Sequence, residues 1–219
     1  MKNRFLTTII CILIAIVLII GGCLGLVSAI KSARAVVKCG DIMVDDETLI
    51  CLASYYKGEY IDKLCAAGIE ASDTEEFWQS KADNGKSWGE IFVISFKEYM
   101  TNLVAAANIY ISYSTYTAED KLSVAMTCDD ILKDAAEGSV KIFNEEHEEH
   151  GFDYTDFMNT AALIYKARAA KTVTSQLTTD ELNDAWDKAL SSVEFSDRYE
   201  NLDPLAVPYF EALHIGEFK

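Results

Sequence analysis

Two of the chain's three histidines fall in the run Glu145-Glu146-His147-Glu148-Glu149-His150. Imidazoles and carboxylates are the groups that hold a first-row divalent cation. The histidines are three residues apart, whereas HExxH places them four apart on one helical face around zinc. An acidic helix end produces the same composition without a ligand role, so no metal ligand is assigned. Six cysteines are present, at positions 11, 23, 39, 51, 65 and 128, without a CxxC pair. In an oxidising compartment Cys39, Cys51, Cys65 and Cys128 permit two disulfides in any of three connectivities, and small buried apolar thiols are the alternative. Cys51 and Cys65 cannot pair with each other on one continuous helix, where they stand roughly 21 Å apart along the axis. The sequence contains no GxSxG elbow or phosphate loop, so it suggests no catalytic residue and no cofactor. What remains is aromatic: Tyr55, Tyr56, Tyr60, Trp78, Trp88, Tyr110, Tyr113 and Tyr116 either fill a core or line a groove against extended peptide. Tyr110, Tyr113 and Tyr116 are the candidate peptide contacts.

These side chains must be positioned by helices. The two prolines, Pro204 and Pro208, lie near the C-terminus, which leaves the preceding chain free to run in unbroken helices. Asp45-Asp46-Glu47 puts carboxylates at the start of a helix to about Ala67, where they complement the helix dipole. Ser72-Asp73-Thr74-Glu75, Ser87-Trp88-Gly89-Glu90, Thr117-Ala118-Glu119-Asp120 and Thr178-Thr179-Asp180-Glu181 have capping-box form, and each precedes an apolar run of helical period. Asp153-Tyr154-Thr155-Asp156 opens a further helix that closes on Lys166, Arg168 and Lys171. The helix after Thr117 is expected to continue through Val140 and Phe143, with Gly138 as its weak point. Only Ala35 to Cys39 and Ile42 to Val44, around Gly40-Asp41, suggest paired strands. The tail from Asp203 looks irregular.

The N-terminus adds a second kind of information. Between Phe5 and Ile30 no charged residue occurs, a length sufficient for the ~20 residues that span a bilayer. The expected organisation is a membrane anchor at 1–34, a helical domain at 35–200 and an irregular tail at 201–219. A single-pass protein with its bulk outside the cytoplasm follows. Two alternatives are a cleaved leader that releases a secreted protein, and a lipoprotein leader. The latter rests on Ile20-Gly21-Gly22-Cys23, which is similar to a lipobox and makes Cys23 a lipidation candidate. The formal net charge of −16 argues against a nucleic-acid partner, because phosphate backbones would be repelled.

The run Ala35-Val-Val-Lys-Cys-Gly-Asp-Ile-Met-Val-Asp-Asp-Glu-Thr-Leu-Ile, followed by Tyr55-Tyr56-Lys57, resembles the start of SurA- and PrsA-type exported folding factors. Ser72 to Trp78, Gly85-Lys-Ser-Trp-Gly-Glu90 and the long helix before Thr117 extend the resemblance, which covers about residues 35–195. It implies a mainly α fold: an N-terminal transmembrane helix, then a SurA-N-like helical domain with a short β-hairpin near its start. It also implies a chaperone-like, non-catalytic function of binding unfolded or partly folded exported polypeptides. The parvulin isomerase module that many members carry does not fit the stretch from Asp153 onward, which reads as two helices and a tail with one histidine, His214. A structural or adaptor subunit docking one envelope protein is the alternative function, and a prolyl isomerase a lesser one.

Overall fold

The computed structural model describes residues 34–147, 150–209, 215–216 and 218. The chain begins its compact unit with β1 (Val37–Cys39) and β2 (Ile42–Val44), paired antiparallel with Val37 opposite Val44 and Cys39 opposite Ile42. Gly40 makes the two-residue turn possible: its φ is +57°, and a Cβ there would collide with the Asn108 amide. Helix α1 (Asp46–Ala66) starts on Asp45, whose carboxylate accepts the Thr48 N–H at 3.1 Å. Short α2 (Glu75–Gln79) and long α3 (Trp88–Tyr113) follow. Then come α4 (Ala118–Ala136), α5 (Val140–His147), α6 (Tyr154–Val173) and α7 (Thr179–Ser191).

Reciprocal capping boxes close the N-termini of α3, α4, α6 and α7 at Ser87, Thr117, Asp153 and Thr178. At α2 the cap is Thr74, which accepts from Phe77 N–H at 3.3 Å, and not the expected Ser72. That two-residue difference places Asp73 ahead of the helix. The expected run from Thr117 into Phe143 is two helices. Glu137 (φ 52°) and Gly138 (φ 76°) both turn left-handed, and the N–H groups of both return to the Leu132 carbonyl, which ends the helix there.

The hairpin is also not the whole sheet. A third strand, β3 (Val193–Phe195), pairs antiparallel with β1 to give the order β2-β1-β3. Three residues are too few to display alternation in the sequence. The principal core lies between α3 and α6, with α1, α4 and α7 against them. Phe96, Met100, Val104, Phe157 and Ile164 are almost wholly buried, and Ala105 and Ala107 let the helices approach closely. Each large side chain contributes about 1.5–3 kcal/mol of hydrophobic stabilisation. A second, smaller cluster forms from Ile61, Phe77, Trp78 and Phe92.

Three expectations from sequence need correction or placement. Among the described residues no helix is long and apolar enough to cross a membrane, so the expected transmembrane helix, membrane partner and single-pass placement are not borne out there. The apolar run that suggested them, and Cys23, lie outside the described residues. His147 is not on an exposed acidic end. It is buried, stacks on Phe143 at 4.2 Å, and its Nδ1 is hydrogen-bonded to the Phe143 carbonyl at 2.7 Å. His214 lies outside the described residues.

Candidate functional site

An open groove of about 910 Å³ runs beside the N-terminal turns of α3, between α1, α2 and the segment Asp203–Pro208. Its apolar wall is made by Trp78, Val93, Ile94, Leu205 and Val207, and its rim by Glu75, Gln79, Lys86 and Glu90. Val93 and Ile94 are 37% and 45% exposed, adjacent branched residues that face the groove. The capping box explains the geometry: Ser87 and Glu90 bond each other's backbone N–H groups, fixing the first turn of α3. Val93 and Ile94 follow in the second turn.

At the groove's floor sits Lys57, a lysine in the middle of α1 that is 1% exposed. Its ammonium donates to Asp73 Oδ1 at 2.9 Å, to the Leu205 carbonyl at 2.9 Å and to the Val207 carbonyl. Three donors meet three acceptors, so the buried charge is both paired and fully hydrogen-bonded. Asp73 serves more than the lysine. Its Oδ1 accepts Trp78 Nε1–H at 2.8 Å, and its Oδ2 accepts the backbone N–H of Tyr209 at 3.1 Å. Ser54 Oγ donates to the Pro208 carbonyl at 2.8 Å.

The segment so held is neither helix nor strand. The Ala206 N–H closes a turn on the Asp203 carbonyl at 3.1 Å, with Pro204 at the position that favours such a turn. Two helical glycines give it room. A Cβ on Gly58 would meet the Tyr209 ring at 2.5 Å, and one on Gly89 would meet Leu205 Cδ1 at 2.9 Å. Side chains from α1, and Asp73 just ahead of α2, therefore grip an irregular piece of chain through its carbonyls and one amide, and its apolar side chains complete the groove wall.

The tyrosines chosen from sequence gather elsewhere. Tyr110, Tyr113 and Tyr116 stand at the opposite end of α3, roughly 30 Å from the groove by helical rise. Tyr110 is buried and donates to Asp120 Oδ2 at 3.0 Å. Tyr165 also donates to Asp120, and that hydroxyl, with the Thr117 backbone N–H and Tyr110, holds the Asp120 carboxyl down at about 2. Tyr116 packs against Tyr165, with Lys166 Nζ 4.6 Å over its ring, and Tyr113 is 48% exposed. Of the wider aromatic set Trp78 lines the groove, while Tyr60 and Trp88 pack against the cluster behind it.

Lys57, Asp73, Val93, Ile94 and the 203–209 segment were not singled out from sequence. Lys57 carried a usable signal, since it follows Ala53 by four residues and precedes Ile61 by four, placing a cation on the buried stripe of α1. Among the described residues no group of histidine, cysteine and carboxylate side chains is arranged to hold a metal ion. The cysteines at 39, 51, 65 and 128 are free thiols, and burial pushes the Cys51 thiol up to about 12. No family model, no curated protein and no solved structure matches this chain.

Proposed function

We propose that the chain is a polypeptide-binding module of the SurA/PrsA type, holding unfolded or partly folded chains in the groove beside α3 without acting on them chemically. One observation carries the reading: the fold already holds a non-helical, non-strand segment, 203–209, by its main-chain atoms. Lys57, Asp73 and Ser54 bond carbonyls and an amide that every polypeptide possesses. A site built on main-chain recognition tolerates many sequences, and an apolar wall supplies the affinity. Val93 and Ile94 give that wall unsatisfied apolar surface. The polar rim of Glu75, Gln79, Lys86 and Glu90 keeps the groove wetted when empty.

The test is suppression of aggregation. A reduced, unfolded client protein is followed by light scattering with the purified chain present, and again with the Val93→Ser/Ile94→Ser variant. Both substituted positions are substantially exposed, so folding is retained. The wild-type chain is expected to suppress scattering in a dose-dependent way, and the variant to require roughly tenfold more protein, the equivalent of about 1.4 kcal/mol of lost binding. Absence of suppression and of binding to unfolded peptides would overturn the proposal.

A further inference from the structure

We infer that residues 203–209 are a displaceable intramolecular occupant of the groove, and that a segment of the same chemistry, apolar and bracketed by prolines, is what the groove takes in trans. The inference rests on the polypeptide-binding reading and deepens it by naming the occupant's class and the means by which the empty protein protects its site.

Four observations converge. First, the latch addresses main-chain atoms: Lys57 the carbonyls of Leu205 and Val207, Ser54 the carbonyl of Pro208, Asp73 the amide of Tyr209. An incoming segment presents the same groups at the same spacing. Second, the strap belongs to no sheet or helix, so releasing it breaks no secondary structure. Third, it is only partly buried. Val207 joins the principal core and Pro204 is buried, but Ala206 is exposed, and Leu205, Pro208 and Tyr209 are only partly covered, Leu205 and Tyr209 resting on the smaller cluster. Fourth, both prolines of the chain lie inside it, at 204 and 208. Proline restricts the backbone before binding, which lowers the ordering cost, and it prevents the segment from being drawn into a neighbouring helix or a central strand. The open volume beside the strap shares its walls, so an exchanging segment can dock on Val93 and Ile94 before the strap leaves.

Competition of this kind has an arithmetic signature. When a cis occupant fills the site, only the fraction of molecules with the strap released binds in trans, and apparent affinity falls by that fraction. Removing the strap's own anchors must then strengthen binding. A merely structural strap would do the reverse, because its loss would disorder the groove.

The experiment uses the full chain and a fluorescent octapeptide of the sequence Leu202 to Tyr209, read by anisotropy. The variant Leu205→Asp/Val207→Asp detaches the strap's side chains and leaves Lys57, Asp73, Trp78, Val93 and Ile94 in place. It is expected to bind the peptide about tenfold or more tighter than the wild type. In parallel, hydrogen exchange of the wild-type chain is followed with and without saturating unfolded client. Exchange at residues 205–209, the Tyr209 amide above all, is expected to accelerate about tenfold when client is bound. Equal or weaker peptide binding by a folded variant overturns the inference. So does client binding that leaves exchange at 205–209 unchanged, and this arm decides the matter if the variant does not fold. Client binding with an unmoved strap leaves the polypeptide-binding reading standing, whereas binding by neither protein overturns both.

Discussion

Replacing Asp73 by alanine should be more damaging than replacing the lysine it pairs with. Lys57 is 1% exposed, so in Asp73→Ala its buried ammonium keeps two carbonyl acceptors but loses the counter-ion that bonds it. Removing one member of a buried pair costs about 3–5 kcal/mol, because the surviving charge stays desolvated and uncompensated. Lys57→Met takes the charge away with the hydrogen bonds. The carboxylate it leaves behind is 24% exposed and still receives Trp78 Nε1–H and Tyr209 N–H. The loss there is the donor to two carbonyls, about 1–3 kcal/mol. In the double variant Asp73→Ala/Lys57→Met no buried charge remains, so the two single losses must not add, and a coupling of about 2 kcal/mol is expected. Urea unfolding followed by far-ultraviolet circular dichroism measures all three. With a slope of about 2 kcal/mol per molar, the Asp73→Ala midpoint falls by roughly 1.5–2.5 M. Two results would refute the reasoning: a smaller loss for Asp73→Ala than for Lys57→Met, or losses that simply sum.

Three further outcomes follow from single positions. Gly58→Ala, normally a gain of about 0.5–1 kcal/mol within a helix, is expected to destabilise here and to raise protease sensitivity at 203–209, because the new Cβ meets the Tyr209 ring at 2.5 Å. Burial, with the Asp153 and Asp45 carboxylates adding to it, raises the Asp156 carboxyl to about 6, so the folded state keeps a proton that the unfolded chain releases near 3.9. The stability this proton gives is lost as pH rises from about 4 through 6. Asp156→Asn, which still accepts the Asp153 N–H, should therefore gain on the wild type across that window; a difference in unfolding midpoint independent of pH would count against the assignment. Iodoacetamide at pH 8 should alkylate exposed Cys65 quickly and buried Cys51 and Cys128 only on unfolding, as peptide mass mapping would show.

Much of the helical plan could be read locally. A capping box is a four-residue signal, and those at Ser87, Thr117 and Thr178 lie at the observed helix starts, as does the Asp153 start. The Gly40-Asp41 turn was equally legible, because the left-handed φ at position 40 is written in the residue type. Illegible features depend on distant partners. Strand β3 exists because β1 offers it an edge, some 150 residues earlier in the chain. Asp73 reads as part of a cap from sequence alone, whereas its bonds go to Lys57 in α1 and to the amide of Tyr209, which comes from the far end of the chain. The aromatic residues are ambiguous for a related reason. Periodicity marks which side chains share a helix face, but not which end of α3 the chain leaves uncovered. The N-terminal end holds exposed Val93 and Ile94 beside an open groove, whereas at the other end Tyr110 is tied into Asp120 and Tyr165.

The central claim is that unfolded polypeptide binds beside the first turns of α3, and site-specific photo-crosslinking tests it most directly. A benzophenone amino acid is placed at Val93 in one protein and at Tyr113, at the far end of the same helix, in another. Each is irradiated with a reduced, unfolded client. The account predicts client crosslinks from position 93, diminished by excess octapeptide of the 202–209 sequence, and few from position 113. Equal crosslinking from both positions, or crosslinks from 113 alone, would contradict it.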